Sequence, residues 1–385
     1  MNAVVPENEP ITLDLTGPGS HVISIESGKV SFALGPRDMD GRRLEAIVPL
    51  DAAVNWAAFD RETVPGGYSW PRAFYYHGDD VGFAVWSRSR PIENFTWRPS
   101  KASHLDMTGA QIGHFHVLVA GQPLEIILGG TRVAWLSGNL DLLKVSIAAS
   151  AEMPSITFSP NPTGSVCKVP TLPALAELSR VMIEGEVAGM PFDCGSLLQF
   201  PGLWSLELRG NVTNLAALAE LKELRTLVIR RCPDLAGMPE LHTWQHLGSF
   251  IATDIEARGG KVLRGQLNQL KKKGRMTDRS TISQLREPIW FATECGLPFV
   301  DWPRKSARLA TSVYKQAAIA VARATSEDNV RSALIAFVEV FNTLPDLGTI
   351  EREDVSDAID RLAALAPAHV TPAMAQGWFD AVRDF

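Results

Sequence analysis

A leucine triplet spaced L-x-x-L-x-L recurs through the middle of the chain and restricts the fold more than any other feature. Leu178, Val181 and Ile183 form it in LSRVMIEG, and Leu203, Leu206 and Leu208 in LWSLELRG. Leu224, Leu227 and Ile229 form it in LRTLVIRR, and Leu247, Phe250 and Ala252 in LGSFIATD. The first positions, 178, 203, 224 and 247, lie 25, 21 and 23 residues apart. A unit this short cannot bury its own apolar face, so neighbours must stack and share one core. The second half of each triplet alternates as a strand does. Stacked units therefore predict parallel strands, each offering every second side chain to solvent.

Other residues carry a family resemblance. Asn211 stands three positions after Leu208, with Cys232 at the matching place one unit later. LAALAELKEL and LAGMPELHTWQHL supply apolar return segments. The pattern resembles the leucine-rich-repeat family, whose repeats run about 20–29 residues. The resemblance implies a curved solenoid with its sheet on the concave face. Weaker echoes precede it: Leu142, Val145 and Ile147 in LDLLKVSIAA, LEIIL at 124 and HLDMTGAQI at 104. These place the expected solenoid at 101–260.

The flanks differ in pattern. HVISIESGKVSFALG reads as two alternating strands around Ser27-Gly28, and AFYYHGDDVGFAVWS as two more around Gly78-Asp79-Asp80. With Trp56, Trp70, Trp86 and Trp97, residues 1–100 read as a β-rich domain that caps the repeats. From 261 the period is helical. Val330, Leu334, Phe337, Val338, Phe341 and Leu344 share one helix face, Pro303 suits a helix start, and Thr371-Pro372 is an N-cap followed by a first-turn proline. The expected fold is thus mixed α and β in three parts, the last an all-helical domain at 261–385 of about five helices. WFATECGLPFVDW and the terminal WFDAVRDF are similar to the tail of bacterial, especially actinobacterial, leucine-rich-repeat proteins of largely unassigned function. With the repeats, that resemblance spans 101–385. It carries over no catalytic or binding residue.

The chain has 385 residues, 45% apolar and 21% charged, with a net charge of −6, which disfavours a nucleic-acid binder acting through its whole surface. MNAVVPENEPITLDL lacks the basic start and apolar run of a signal peptide, and AAIAVARA is too short to span a membrane. Cys167, Cys194, Cys232 and Cys295 are widely spaced, with no C-x-x-C. A reduced, cytoplasmic protein is expected.

Catalytic templates fit poorly. His242 and His246 stand at i, i+4, but Thr243 occupies the place of the metalloprotease glutamate. His114 and His116 in HFH share a strand face, with His104 nearby in sequence, but a third metal ligand must come from elsewhere. TGPGS and VPGGY lack the lysine of a phosphate loop, and no G-x-S-x-G occurs. No cofactor or metal is expected. The enzyme alternative rests on His77, Asp79 and Asp80 in the β-rich part.

A binding surface is easier to place. If the second and third leucines point inward, three outward columns result. These are Arg180, Ser205, Thr226, Ser249; Met182, Glu207, Val228, Ile251; and Glu184, Arg209, Arg230, Thr253. The middle column is mostly apolar, and the last carries two arginines, a residue favoured at interfaces. The surface predicts a non-catalytic protein binder, or else a face covered by a flanking part of the chain. The sharpest form of the binding expectation is an immunity or antitoxin protein that blocks a toxin's active site. Residues 261–315 hold 12 Lys and Arg against 4 Asp and Glu, with KKKGR at 271–275 the densest stretch. That run permits a nucleic-acid reading of 261–279. A helix C-terminus explains the lysines better, because cations there complement the helix dipole.

Overall fold

The computed structural model describes residues 3–4, 10–17, 21–24, 31–36, 44–63, 71–162, 164–187, 189–344, 347–366 and 370–384. Ser27-Gly28, Trp70 and the VPGGY turn lie outside them, as does part of TGPGS. The fold is mixed α/β, with one large parallel sheet and a C-terminal helical region. Two compact units divide at 287/288.

The first unit is organised by a twelve-stranded sheet. Its spatial order runs, with the chain, from Ser31–Gly35 through Ala73–His77, Ile92–Arg98, Ile112–Val119, Val133–Gly138 and Ser155–Pro160. It continues through Arg180–Glu184, Ser205–Arg209, Thr226–Arg230 and Ser249–Glu256 to Thr281–Arg286. Ala46–Ile47 flanks the first of these, and every pairing is parallel. Parallel neighbours need a crossover, and from Ala73–His77 to Ser249–Glu256 each crossover is one short return segment. Between 92 and 155 the returns carry a second parallel sheet of three strands, Ser103–Asp106, Leu124–Leu128 and Leu143–Ile147. Beyond 160 they carry short 3-10 turns such as Cys194–Gln199 and Leu215–Glu220.

The triplets do what their spacing requires. Leu203, Leu206 and Leu208 are fully buried, as are Leu224, Leu227 and Ile229. Leu206 registers with Val181 and Leu227, and Leu208 with Ile183 and Ile229, so the core is a stack of aligned aliphatic rows. The upstream echoes have a different place. LEIIL, the LKVSI of the 142 triplet and SHLD lie in the three-stranded return sheet, not in the large one. The large-sheet strands of those coils turn inward Phe115 with Val117, Ala134 with Leu136, and Ile156 with Phe158. Those pairs fill the same core without spelling a leucine triplet.

The expected seams at 100 and 261 do not coincide with the structural division. Strands of the aromatic-rich segment join the same sheet as the repeats, and Thr281–Arg286 extends it at the far end. Helix α2, Ala257–Lys272, lays Leu263, Leu267 and Leu270 into the first unit's core. AFYYHGDDVGFAVWS is not two strands. Ala73–His77 is a strand, but Gly82–Trp86 is a one-turn helix, α1: Asp80 Oδ1 accepts from Gly82 N–H and turns the chain there, and the segment is too short for its period to choose. Phe83 stacks on Phe95 at 4.2 Å, inside a cluster that includes Trp56, Phe74 and Tyr76. The cluster is the core at this end of the sheet.

The second unit is helical. It comprises α3 (Pro288–Thr293), α4 (Arg304–Ala322), α5 (Glu327–Asn342), α6 (Thr349–Ala363) and α7 (Pro372–Val382). Val330, Leu334, Phe337, Val338 and Phe341 are buried along α5, as their spacing predicts. Ser326 caps α5 through Asn329 N–H, and Thr371 caps α7 through Met374 N–H.

Candidate functional site

The outward face of the large sheet has the register that the leucine spacing implies. Arg180, Ser205, Thr226 and Ser249 are paired strand to strand, as are Met182, Glu207, Val228 and Ile251, and Glu184, Arg209, Arg230 and Thr253. Arg180 is exposed, Val228 is buried, and the other ten are half-buried.

Two of these columns are joined by a charge network. Glu207 Oε1 accepts from Arg209 Nε at 2.7 Å and from Arg230 Nε at 3.0 Å. Arg209 Nη1 donates to Glu184 Oε2 at 3.2 Å. Burial raises the Glu184 carboxyl above its ordinary range, opposed by the neighbouring Arg209 guanidinium. Two acids and two bases thus neutralise one another on a half-dry surface, leaving a pre-oriented set of donors and acceptors. A second pair, Arg286 Nε to Asp254 Oδ1 at 2.6 Å, lies toward the sheet end.

The same middle row continues across strands where the sequence showed no leucine triplet. Met182 registers with Thr157, Thr157 with Trp135, Trp135 with His116, His116 with Thr96, and Thr96 with Tyr75. Here the row is aromatic. The His116 and Trp135 rings stack at 4.3 Å, 15° apart, with Trp135 37% exposed. Ser137 Oγ donates to Val117 O and lies 2.9 Å from His116 Nε2. That hydroxyl hydrogen is spent, so the contact assigns the imidazole proton to Nε2.

Burial holds the His116 pKa below its ordinary value. A histidine depressed in the folded state binds its proton first in the unfolded chain. Stability is therefore complete above about pH 6.5 and falls as pH drops below that value. In thermal unfolding profiles between about pH 7 and 5, His116→Gln should show a shallower acid decline than the wild type. Parallel declines would remove this histidine as the cause.

The other candidate residues are not brought together. His114 shares the outward face with His116, but His104 belongs to the return sheet and pairs with Glu125 at 3.3 Å. His242 pairs with Glu240 at 2.9 Å in a three-residue turn, Leu241–Thr243, so no helix places His246 beside it. Asp79 accepts from Ser100 N and Oγ, and Lys101 lies 3.8 Å away. Asp80 accepts from Val54 N, Trp56 Nε1 and Gly82 N. Both carboxylates thus bind the chain to itself. Among the described residues no group of three His, Cys, Asp or Glu has metal-binding geometry, and no helix is long and apolar enough to cross a membrane. Lys271 and Lys272 occupy the last turn of α2 and Lys273 its C-cap, where cations complement the helix dipole. Cys167, Cys194 and Cys232 are buried free thiols, and burial pushes the Cys232 thiol up to about 12.

Family models, curated proteins and solved structures return no match to this chain.

Proposed function

We propose that this chain is a non-catalytic protein-binding scaffold, a leucine-rich-repeat-type solenoid whose outward sheet face receives another protein. The observation that carries this reading is the in-register face itself. One row runs from Tyr75 to Ile251, aromatic at one end and aliphatic at the other, beside the Glu184, Arg209, Glu207 and Arg230 network. Half-buried aromatic and aliphatic side chains offer apolar area, and the fixed charges offer orientation, the two ingredients of a specific interface. The sharpest form of the proposal is an immunity or antitoxin protein acting inside the cell by covering a toxin's active site.

Glu207→Arg/Arg209→Glu/Arg230→Glu is the informative variant. It inverts the signs while keeping opposite charges together at 207, 209 and 230, although the new charge at 209 opposes Glu184. The fold should therefore survive, as circular dichroism can check. Affinity capture from the native lysate, read by mass spectrometry, should yield one specific protein with the wild type and lose it with the variant. Equal capture by both would move the interface off this face. A captured partner without toxin activity would end the immunity form of the proposal.

A further inference from the structure

A second surface lies beside that face, along the edge where the strands begin. Two adjoining hollows of about 790 and 660 Å³ run there, sharing Gly109, Gly130 and Arg132 in their walls. The first extends to Arg72 and Glu93, the second to Arg180 and Trp204. Glycines allow close packing in the walls. A Cβ at Gly129 would lie 2.5 Å from Met107 O, and one at Gly130, whose φ is +47°, 2.6 Å from Ala110 O. The LGGT turn therefore packs directly onto the preceding coil's backbone. The Arg132 guanidinium lies over Gly113, in the space where a Cβ would be only 3.1 Å from Nη2.

Electrostatics gives the groove its sign. Arg72 is matched by Glu93 at 3.4 Å. Arg132 and Arg180 are both exposed, and among the described residues neither has a carboxylate within ion-pair distance. Arg180 stacks on Trp204 with its guanidinium carbon 4.7 Å from the ring centroid. That contact holds the planar fork while leaving its in-plane N–H donors available. Glu152, on the rim, is exposed. In the wall, Thr131 is nine-tenths buried, and among the described residues its hydroxyl meets no hydrogen-bond partner.

We infer that this groove binds an extended acidic peptide segment of the partner, two of whose carboxylates pair with Arg132 and Arg180. The inference rests on the protein-binding reading above and adds the chemistry that the partner must carry. Arg132 leads the 133–138 strand and Arg180 begins the 180–184 strand, two strand spacings away, about 10 Å. An extended chain covers that distance in about three residues. The groove crosses the starts of seven strands, from 73–77 to 205–209, which is six spacings or about 29 Å, about nine extended residues.

The test uses the full chain and a fluorescein-labelled seven-residue peptide of alanine with two glutamates three positions apart, read by fluorescence polarisation. The glutamine version of the peptide is the control. The glutamate peptide should bind at least about tenfold more tightly, with affinity falling as salt is added. Arg132→Gln and Arg180→Gln should each weaken it by about tenfold, and together reduce it to the glutamine level. Thermal unfolding checks that the variants fold. The sheet-face triple variant should bind the peptide as the wild type does, so the two readings fail separately. Equal affinities for the two peptides, wild-type affinity in the double variant, or no binding at about 1 mM peptide would each overturn the inference.

Discussion

Leu208→Ala should lower the unfolding free energy of the first unit by about 3 kcal/mol. Leu208 is fully buried and sits in register between Ile183 and Ile229. Neighbouring strands hold their spacing through backbone pairing on both sides, so they cannot close in to fill the void. The cost therefore includes the cavity as well as the lost transfer energy. Arg209→Ala, one residue along, removes the contacts to Glu184 and Glu207 from a partly exposed site. It should cost about 1 kcal/mol or less. Hydrogen exchange across residues 180–256 reports this unit without interference from the helical one. A Leu208 loss no larger than that of Arg209 would mean that the aligned leucine rows are not what holds these coils together.

That contrast explains how much of the fold was legible. In the 180–256 segment the inward positions are large, mostly aliphatic and evenly repeated, so spacing alone assigned the alternation and the strand-to-strand register of the twelve grid residues, of which Val228 is buried. Upstream the same architecture is written differently. The inward pairs mix Phe115, Ala134 and Phe158 in size, and the leucine-rich stretches at 124 and 142 serve the return sheet. Leucine spacing therefore pointed to the wrong sheet there. His116 stood out only as one of two histidines on a strand face, and its stacking on Trp135 had no signal in the sequence. A period of about 21 residues between inward pairs was present, but no residue type marked it. The Arg132 and Arg180 groove was beyond any linear reading, because its walls come from the starts of seven separate strands. The edge strand Thr281–Arg286 lay hidden for a simpler reason: it buries Ile282 and half-buries Leu285, too little to register as alternation.

Asp80→Asn should destabilise the first unit by about 2–4 kcal/mol, nearly as much as Asp80→Ala, although it preserves shape. Asp80 stands at the turn between the 73–77 strand and α1, and its two oxygens accept three hydrogen bonds. Oδ2 takes Val54 N–H at 2.8 Å and Trp56 Nε1–H at 3.0 Å, and Oδ1 takes Gly82 N–H at 2.8 Å. All three partners are donors. An asparagine keeps one acceptor oxygen, but its amide nitrogen must then face an N–H, so at least one donor is left unsatisfied in a half-buried site. The Trp56 indole, packed on Tyr76, Phe83 and Trp86, loses or weakens its anchor. The aromatic core at this end of the sheet should then loosen first, seen as faster exchange at residues 54–59 and 73–86. The same variant separates two roles for this acidic turn. A catalytic carboxylate can be replaced by its amide with activity lost and stability kept. A structural one, consumed by three donors as here, shows the reverse, with stability lost and partner capture by the outward sheet face retained at temperatures where the variant stays folded. Asp80→Asn with unchanged stability would mean that these three bonds do not hold the turn, and would return His77, Asp79 and Asp80 to consideration as an active site.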